Sequence, residues 1–311
     1  MRHVFIVNPA AGKRGGLPGL QRQLERAFPH GGYELYTTAA PGDARDIAAR
    51  AAAVGDPVRI YACGGDGTLN EVVNGAAGYA HAAVTNVPMG TGNDFLRIFG
   101  KEGRRRFGDV AALRDGPEKA LDLMDCNGLL GLNIVCAGVD ARVAADVDRF
   151  KRLPLVGHSL AYVLSLAATA SKGLTRPMEV TMGPIRHSGP TALLCVCNAQ
   201  YYGGGFRPMP EAMPDDAVLD MLLVGEITAG QFLTCVGKFA RGQYRKCPDL
   251  IRAWHGDGLS FSAEEEMVVV VDGEVMRGRE FTVRRADKKL NFFWPQGVEF
   301  PTPAGAMAET L

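Results

Sequence analysis

The chain has 311 residues, enough for two domains of ordinary size. Hydrophobic residues make up 47% and charged residues 22%, with 34 basic and 34 acidic side chains, which excludes a disordered chain and leaves no basic excess for nucleic acid. Seven scattered cysteines without a CxxC pair argue against a disulfide framework or a zinc site, and for buried, reduced thiols in a cytoplasmic protein.

The opening MRHVFIVNPAAG runs directly into a strand-like segment, so no signal peptide is expected. HVFIVN reads as a buried strand and LPGLQRQLERAF as a helix. YELYTT is a strand, and GDARDIAARAAA a helix with Asp43 placed to cap it. VRIYAC, TLNEVVNGAAG, AAVTNVPMG and NDFLRIFG continue as strand, helix, strand and short helix. This alternation predicts an α/β domain over 1–124, a parallel sheet with helices on both faces. The basic run GKEGRRRFGD (100–109) reads as a solvated loop. Beyond about residue 125 two helical runs fall near 141–172. One of them, LPLVGHSLAYVLSLAATA (153–170), carries Pro, Gly, His and Ser and reads as a core helix, not a membrane span. MEVTMG, TALLCVCNAQ, VLDMLLVGE, LSFSAE, MVVVVDGE and EFTVRRA then alternate with turn signals, predicting a mainly antiparallel second domain over 125–288. FTVRRADKKLNFFWP leads the chain out of it.

Ligands of a parallel sheet bind beyond the carboxyl ends of its strands, and three loops fall there. NPAAGK supplies Asn8, Gly12 and Lys13; GGDGT supplies Gly64, Gly65, Asp66, Gly67 and Thr68; MGTGND supplies Gly90, Thr91, Gly92, Asn93 and Asp94. Glycines let backbone N–H groups approach an anion, and the following helix adds its positive end. Neither a P-loop nor a G-x-G-x-x-G fingerprint is present. Asp66 and Asp94 need a reason. A carboxylate about 4 Å from a phosphate charge is repelled by roughly 4 kcal/mol at an effective dielectric of 20. Magnesium between them removes that cost; alternatively each Asp caps a helix. The three loops together favour a magnesium–nucleotide.

NPAAGK, GGDGTLNEVVNG and VPMGTGNDFLR, in this order and spacing, resemble the diacylglycerol kinase and sphingosine kinase catalytic domains, in particular the soluble bacterial diacylglycerol kinases. The likeness runs through most of the chain and weakens after residue 125. It implies a nucleotide-binding α/β domain to which the final segment, about 289–311, returns, and a β-sandwich-like lipid-substrate domain. It implies ATP contacts from Asn8, Pro9, Gly12, Lys13, Thr38, Gly64, Gly65, Asp66, Gly67, Thr68, Asn70, Thr91, Gly92 and Asn93. Asp66, Asp94 and Asp122 would hold a catalytic Mg2+; Asp125 is close enough to Asp122 to leave that third position open.

VVVVDGEVM contains Asp272, Gly273 and Glu274, which local sequence reads as a hairpin turn. The resemblance implies that Asp272 orients or deprotonates the acceptor hydroxyl, with Glu274 in support and Asp66 as the catalytic acid of the first domain. PMPEAMPDDAVLDMLLV would hold a structural Mg2+ through Asp216 and the carbonyls of Met213 and Val218. Ala217 stands where the family has glycine; a solvated acidic turn is the alternative. NAQYYGGGFRPMP forms either the mouth of a lipid pocket or a flexible turn. The expected activity is phosphoryl transfer from ATP to a lipid hydroxyl, with diacylglycerol as first acceptor. The alternatives are a sphingoid base, another lipid, an NAD-like metabolite, or a non-catalytic lipid-binding protein. The expected partners are the lipid, a membrane surface touched peripherally through Arg104–Arg106 at the inner face, and a second copy of the chain; no nucleic acid is expected.

Overall fold

In the computed structural model, which describes residues 1–11, 16–90, 92–139, 141–142 and 173–302, the chain divides into two units. The first comprises Met1–Leu123, Pro214–Asp216 and Ala286–Leu311, and the second Met124–Met213 and Ala217–Arg285.

The first unit begins β1 (Arg2–Val7), α1 (Gly16–Ala27), β2 (Glu34–Thr37), α2 (Asp43–Ala53), β3 (Val58–Gly64), α3 (Asp66–Ala76) and β4 (Ala82–Pro88). A 3-10 turn (Phe95–Phe99), α4 (Gly100–Arg106), α5 (Val110–Arg114) and β5 (Glu118–Leu121) follow. The second unit contains β6 (Met124–Cys126), β7 (Leu129–Gly131), β8 (Ile134–Gly138), β9 (Arg176–Met182), β10 (Ile185–Thr191), β11 (Leu193–Cys197) and β12 (Leu219–Val224). It continues with α6 (Ala229–Phe239), β13 (Ile251–Gly256), β14 (Gly258–Val271) and β15 (Glu274–Arg285); β16 (Leu290–Phe293) belongs to the first unit again.

The sheet of the first unit has the order β2-β1-β3-β4-β16-β5. Every pairing is parallel except β16 with β5, so the expected parallel sheet carries one antiparallel edge. β1, β3 and β4 are almost wholly buried, the signature of strands covered on both faces. Right-handed crossovers put α1 on one face and α2 with α3 on the other, because the path reverses direction after β2. Helices α2 and α3 pack closely: a Cβ on Gly75 would lie 2.2 Å from the Arg45 carbonyl oxygen. On β3, the buried Arg59 donates to the carbonyls of Leu113, Arg114 and Gly116 and lies over the Phe293 ring, tying the end of α5 to the sheet.

The second unit is antiparallel throughout, in the order β13-β12-β11-β8-β14-β15-β6-β7, with β9 pairing β10 and β14. Side-chain alternation along β11 and β12 sends Cys195, Leu222 and Val224 into one apolar cluster and Leu194, Val196, Met221 and Leu223 into another. α6 covers the first cluster through Cys235 and Phe239, and β9, β14 and β15 close over the second through Val180, Phe261, Phe281 and Val283.

Several local expectations change. Residues 100–106 form α4, not a loop. Asp43 does not cap its helix; its carboxylate accepts the Ala39 and Ala40 amides of the preceding turn. LSFSAE and MVVVVDGE are one strand, β14, whose register shifts between Ser262 and Met267. Cys235 and Cys247 lie side by side, their Cα atoms 6.7 Å apart, where α6 and the segment after residues 244–246 meet in the same apolar cluster. Cys63, Cys126, Cys136, Cys195 and Cys197 are free and buried. The 153–170 run lies outside the described residues. Among the described residues no helix is long and apolar enough to cross a membrane.

Candidate active site

The register aligns Val7 with Cys63 and Gly64 with Pro88, so the loops after β1, β3 and β4 stand side by side. Asn8 joins the first two: its amide donates to the Cys63 carbonyl (3.0 Å) and its Nδ2 to Thr68 Oγ1 (3.2 Å). Pro9 lies in the exposed turn that follows. Thr38 donates its amide to the Val7 carbonyl at 2.9 Å, which sets the end of β2 beside the same loop. Gly12, Lys13 and Thr91 lie outside the described residues.

The second and third loops touch backbone to backbone. Met89 and Gly90 both donate to the Gly64 carbonyl, at 3.0 and 3.1 Å. A Cβ on Gly90 would stand 2.5 Å from the Gly65 Cα, and one on Gly92 only 2.2 Å from Asp66 Oδ2. These glycines are therefore required by the close approach of the loops. Asp66 opens α3, and its carboxylate accepts the amides of Asn93 (2.8 Å) and Asp94 (2.6 Å). Asp94 is buried and paired with Arg97 Nε at 2.8 Å. Neither Asp caps its own helix, which removes the capping alternative. Burial, then the neighbouring Asp94 charge, raises the Asp66 carboxyl above its ordinary range, and the amides of Asp94 and Asn93 pull the other way.

This arrangement suits a charged ligand. The N-cap of α3 is Gly65, which brings no side chain over the helix start, where the helix dipole favours an anion. The buried Asn93 Oδ1 has no donor, and a cation or a donor group would satisfy it. Gly67 and Asn70 lie in the first turns of α3, where Asn70 Oδ1 accepts from Asn74. Asp122 is buried, ion-paired with Lys289 at 2.9 Å, and donates its amide to the Pro214 carbonyl. The alternative, Asp125, is engaged by the Gly128 amide and Arg284 in the second unit. Among the described residues no group of three or more His, Cys, Asp or Glu side chains is arranged to hold a metal.

In the second unit, Asp272 and Gly273 form the two-residue turn between β14 and β15, with φ of 48° and 99°. Positive φ at both positions is the geometry of a tight hairpin turn. The carboxylate also ties this turn to the start of β8. Its Oδ2 accepts the Leu132 amide (2.6 Å), its Oδ1 the Ile134 amide (2.9 Å), and both oxygens take up the Asn133 amide. Glu274 is exposed at the start of β15. Met213 is buried, Val218 half-buried and Asp216 exposed. Ala217 adopts φ 62°, so the alanine has kept a glycine-like backbone. Residues 202–206 make an ordered turn closed by a Tyr202–Phe206 bridge, and Phe206 lines an apolar cavity with Leu193, Val224, Phe232 and Phe239.

Three residues at the first site escape sequence reasoning. Arg97 was legible in principle, at i+3 from Asp94 on a helical turn. Glu71 was not: from α3 it accepts the Gly42 and Ala44 amides at the start of α2. Nor was Arg104, whose Nη2 donates to the Gly92 carbonyl at 2.7 Å.

Comparison with known proteins identifies the family of both domains. Residues 2–126 match the diacylglycerol kinase catalytic domain, and 133–292 the YegS C-terminal NAD kinase beta sandwich-like domain. A probable lipid kinase YegS-like of Pseudomonas aeruginosa PAO1 is 32% identical over 82% of each chain. A diacylglycerol kinase of Bacillus subtilis is 28% identical over 87% of this chain and 88% of its own. The crystal structure of a diacylglycerol kinase from Bacillus anthracis superposes over 96% of this chain and 98% of its own, with a TM-score of 0.66 at 20% identity. With both domains matched and the glycine loops of the first closed around Asp66, the chain belongs to the family of diacylglycerol kinase and YegS-like lipid kinases.

Proposed function

We propose that the protein is an ATP- and Mg2+-dependent lipid kinase that transfers the γ-phosphoryl group of ATP to a lipid hydroxyl, with diacylglycerol as acceptor and phosphatidic acid as product. The observation that carries this reading is the loop pair clamped by Asp66, whose carboxylate holds the third loop beside the buried Asp94. Backbone amides at the start of α3 would bind phosphate oxygens, and the glycines would let the phosphate chain approach. Asp66, Asp94 and Asp122 would together hold Mg2+, partly through water. Bound there, Mg2+ would neutralise the charge that develops on the phosphates. Asp272, held by three amides, would accept a hydrogen bond from the acceptor hydroxyl, with Glu274 in support. Asp216, with the Met213 and Val218 carbonyls, would hold a second, structural ion, and the φ of Ala217 favours that loop shape. Because such acceptors lie in membranes, the protein would act at a membrane surface.

The name of the second domain's family keeps NAD in view as an acceptor. The test is labelled ATP with Mg2+ and a panel of diacylglycerol, a sphingoid base, other hydroxyl lipids and NAD. Label entering diacylglycerol alone supports the proposal; label entering NAD alone, or no lipid, refutes it.

A further inference from the structure

The 92–93 peptide is held at both ends. In a trans peptide the N–H and C=O point in opposite directions. The Asn93 N–H of this unit meets Asp66 Oδ2 at 2.8 Å, and the Gly92 C=O meets Arg104 Nη2 at 2.7 Å. One peptide dipole thus lies between an acid on α3 and a guanidinium on α4, with its negative end toward the cation. Charged partners at both ends polarise the same peptide and strengthen each other. Asn93 adopts φ 49°, a left-handed conformation that asparagine tolerates. Arg104 is half-buried and close enough to Asp94, Asp66 and Arg97 to feel their charges.

We propose that Arg104 is a positioning residue for nucleotide binding, the counter-clamp to Asp66, which fixes the 92–93 peptide so that the third loop is ready for the phosphate chain. This rests on the proposed nucleotide site. It separates Arg104 from Arg105, which is exposed and paired with Glu102 three residues earlier on α4.

The experiment compares the full-length wild type with Arg104→Met, Arg104→Lys and Arg105→Gln. The first readout is amide hydrogen exchange of Asn93 and Asp94 in nucleotide-free protein. The second is the Kd of a fluorescent ATP analogue with Mg2+, and the third is Tm. The expected result for Arg104→Met is exchange and Kd both raised about 10-fold, the order lost with one charge-assisted hydrogen bond, and a nearly unchanged Tm. Arg104→Lys should recover part of both, and Arg105→Gln should match the wild type. Faster exchange with unchanged Kd would make Arg104 a structural clamp only and overturn the proposal, as would no change in exchange. A higher Kd accompanied by a lower Tm for Arg104→Met, without rescue by lysine, would also overturn it. A wild type that binds no nucleotide would refute the kinase reading itself and the inference with it; unchanged Kd in Arg104→Met beside a binding wild type refutes the inference alone.

Discussion

Asp272→Ala is the substitution that the proposed chemistry invites, and the structure gives it a stability cost that must be measured first. The carboxylate receives the amides of Leu132, Asn133 and Ile134. Each such bond contributes about 1 kcal/mol net. Alanine would also have to adopt the φ of 48° that Asp272 holds, which adds about 1 kcal/mol. The sum is about 4 kcal/mol, equivalent to roughly 10 °C in the unfolding midpoint of a unit of this size. Asp272→Asn keeps one acceptor oxygen and a side chain that tolerates positive φ, so its cost should be about 1–2 kcal/mol. The assay is urea unfolding of both full-length variants, followed by phosphoryl transfer at a temperature where each is fully folded. Unfolding of Asp272→Ala at the wild-type midpoint would refute the account of this turn. A folded Asp272→Asn with wild-type turnover would refute the role of the carboxylate at the acceptor.

Other consequences are independent of the reaction. Burial, then the charges of Arg59, the N-terminus and Arg114, lowers the His3 pKa from 6.5 to about 4. The unfolded chain therefore binds a proton that the folded one refuses, so stability is complete above pH 6.5 and falls as pH drops toward 4. Discounted for a half-exposed ring, the loss is about 1–2 kcal/mol; His3→Gln should flatten the dependence of the urea midpoint on pH by that amount, and an unaltered profile would count against it. Ala217→Gly should raise stability by about 0.5–1 kcal/mol by relieving the φ of 62°, and an unchanged or lower urea midpoint would show that the alanine is not strained. Glu71→Gln should cost about 1 kcal/mol and speed hydrogen exchange at Gly42 and Ala44, the two amides its carboxylate accepts; wild-type protection at both would disprove that cap.

The layered fold was legible because its signals are local. β1, β3 and β4 are apolar runs between helical segments, and the glycine loops mark their ends. What failed depended on partners distant in the chain. Residues 100–106 read as a solvated loop because three arginines and a lysine carry no apolar stripe, yet they form a helix whose Arg104 and Arg106 reach Gly92 and Gln296. Asp43 had the spacing of a helix cap, but Glu71 took that place from another helix and left Asp43 to the turn before it. The site followed the same division. Its residue types were visible in sequence; that Asp66 is answered by amides 27 and 28 positions later was not.

Asp66 and Asp272 show why a carboxylate in a glycine loop is ambiguous on sequence grounds. Each sits at a strand end, and each accepts backbone amides from a segment remote in the chain, 93–94 for one and 132–134 for the other. An ionised carboxylate has about four acceptor directions. Amides that occupy two or three of them orient the group and shape the facing loop, while its charge still acts on whatever binds nearby. The structural and chemical roles therefore share one side chain, and removing it perturbs both. For Asp66 they can be pulled apart only from the other side of the peptide, where Arg104 fixes the same plane without contributing a negative charge. The discriminating pair is thus Asp66→Asn with Arg104→Met. If the carboxylate matters only for loop shape, both should weaken nucleotide binding alike at every Mg2+ concentration. If its charge also serves a cation, Asp66→Asn alone should shift the Mg2+ dependence.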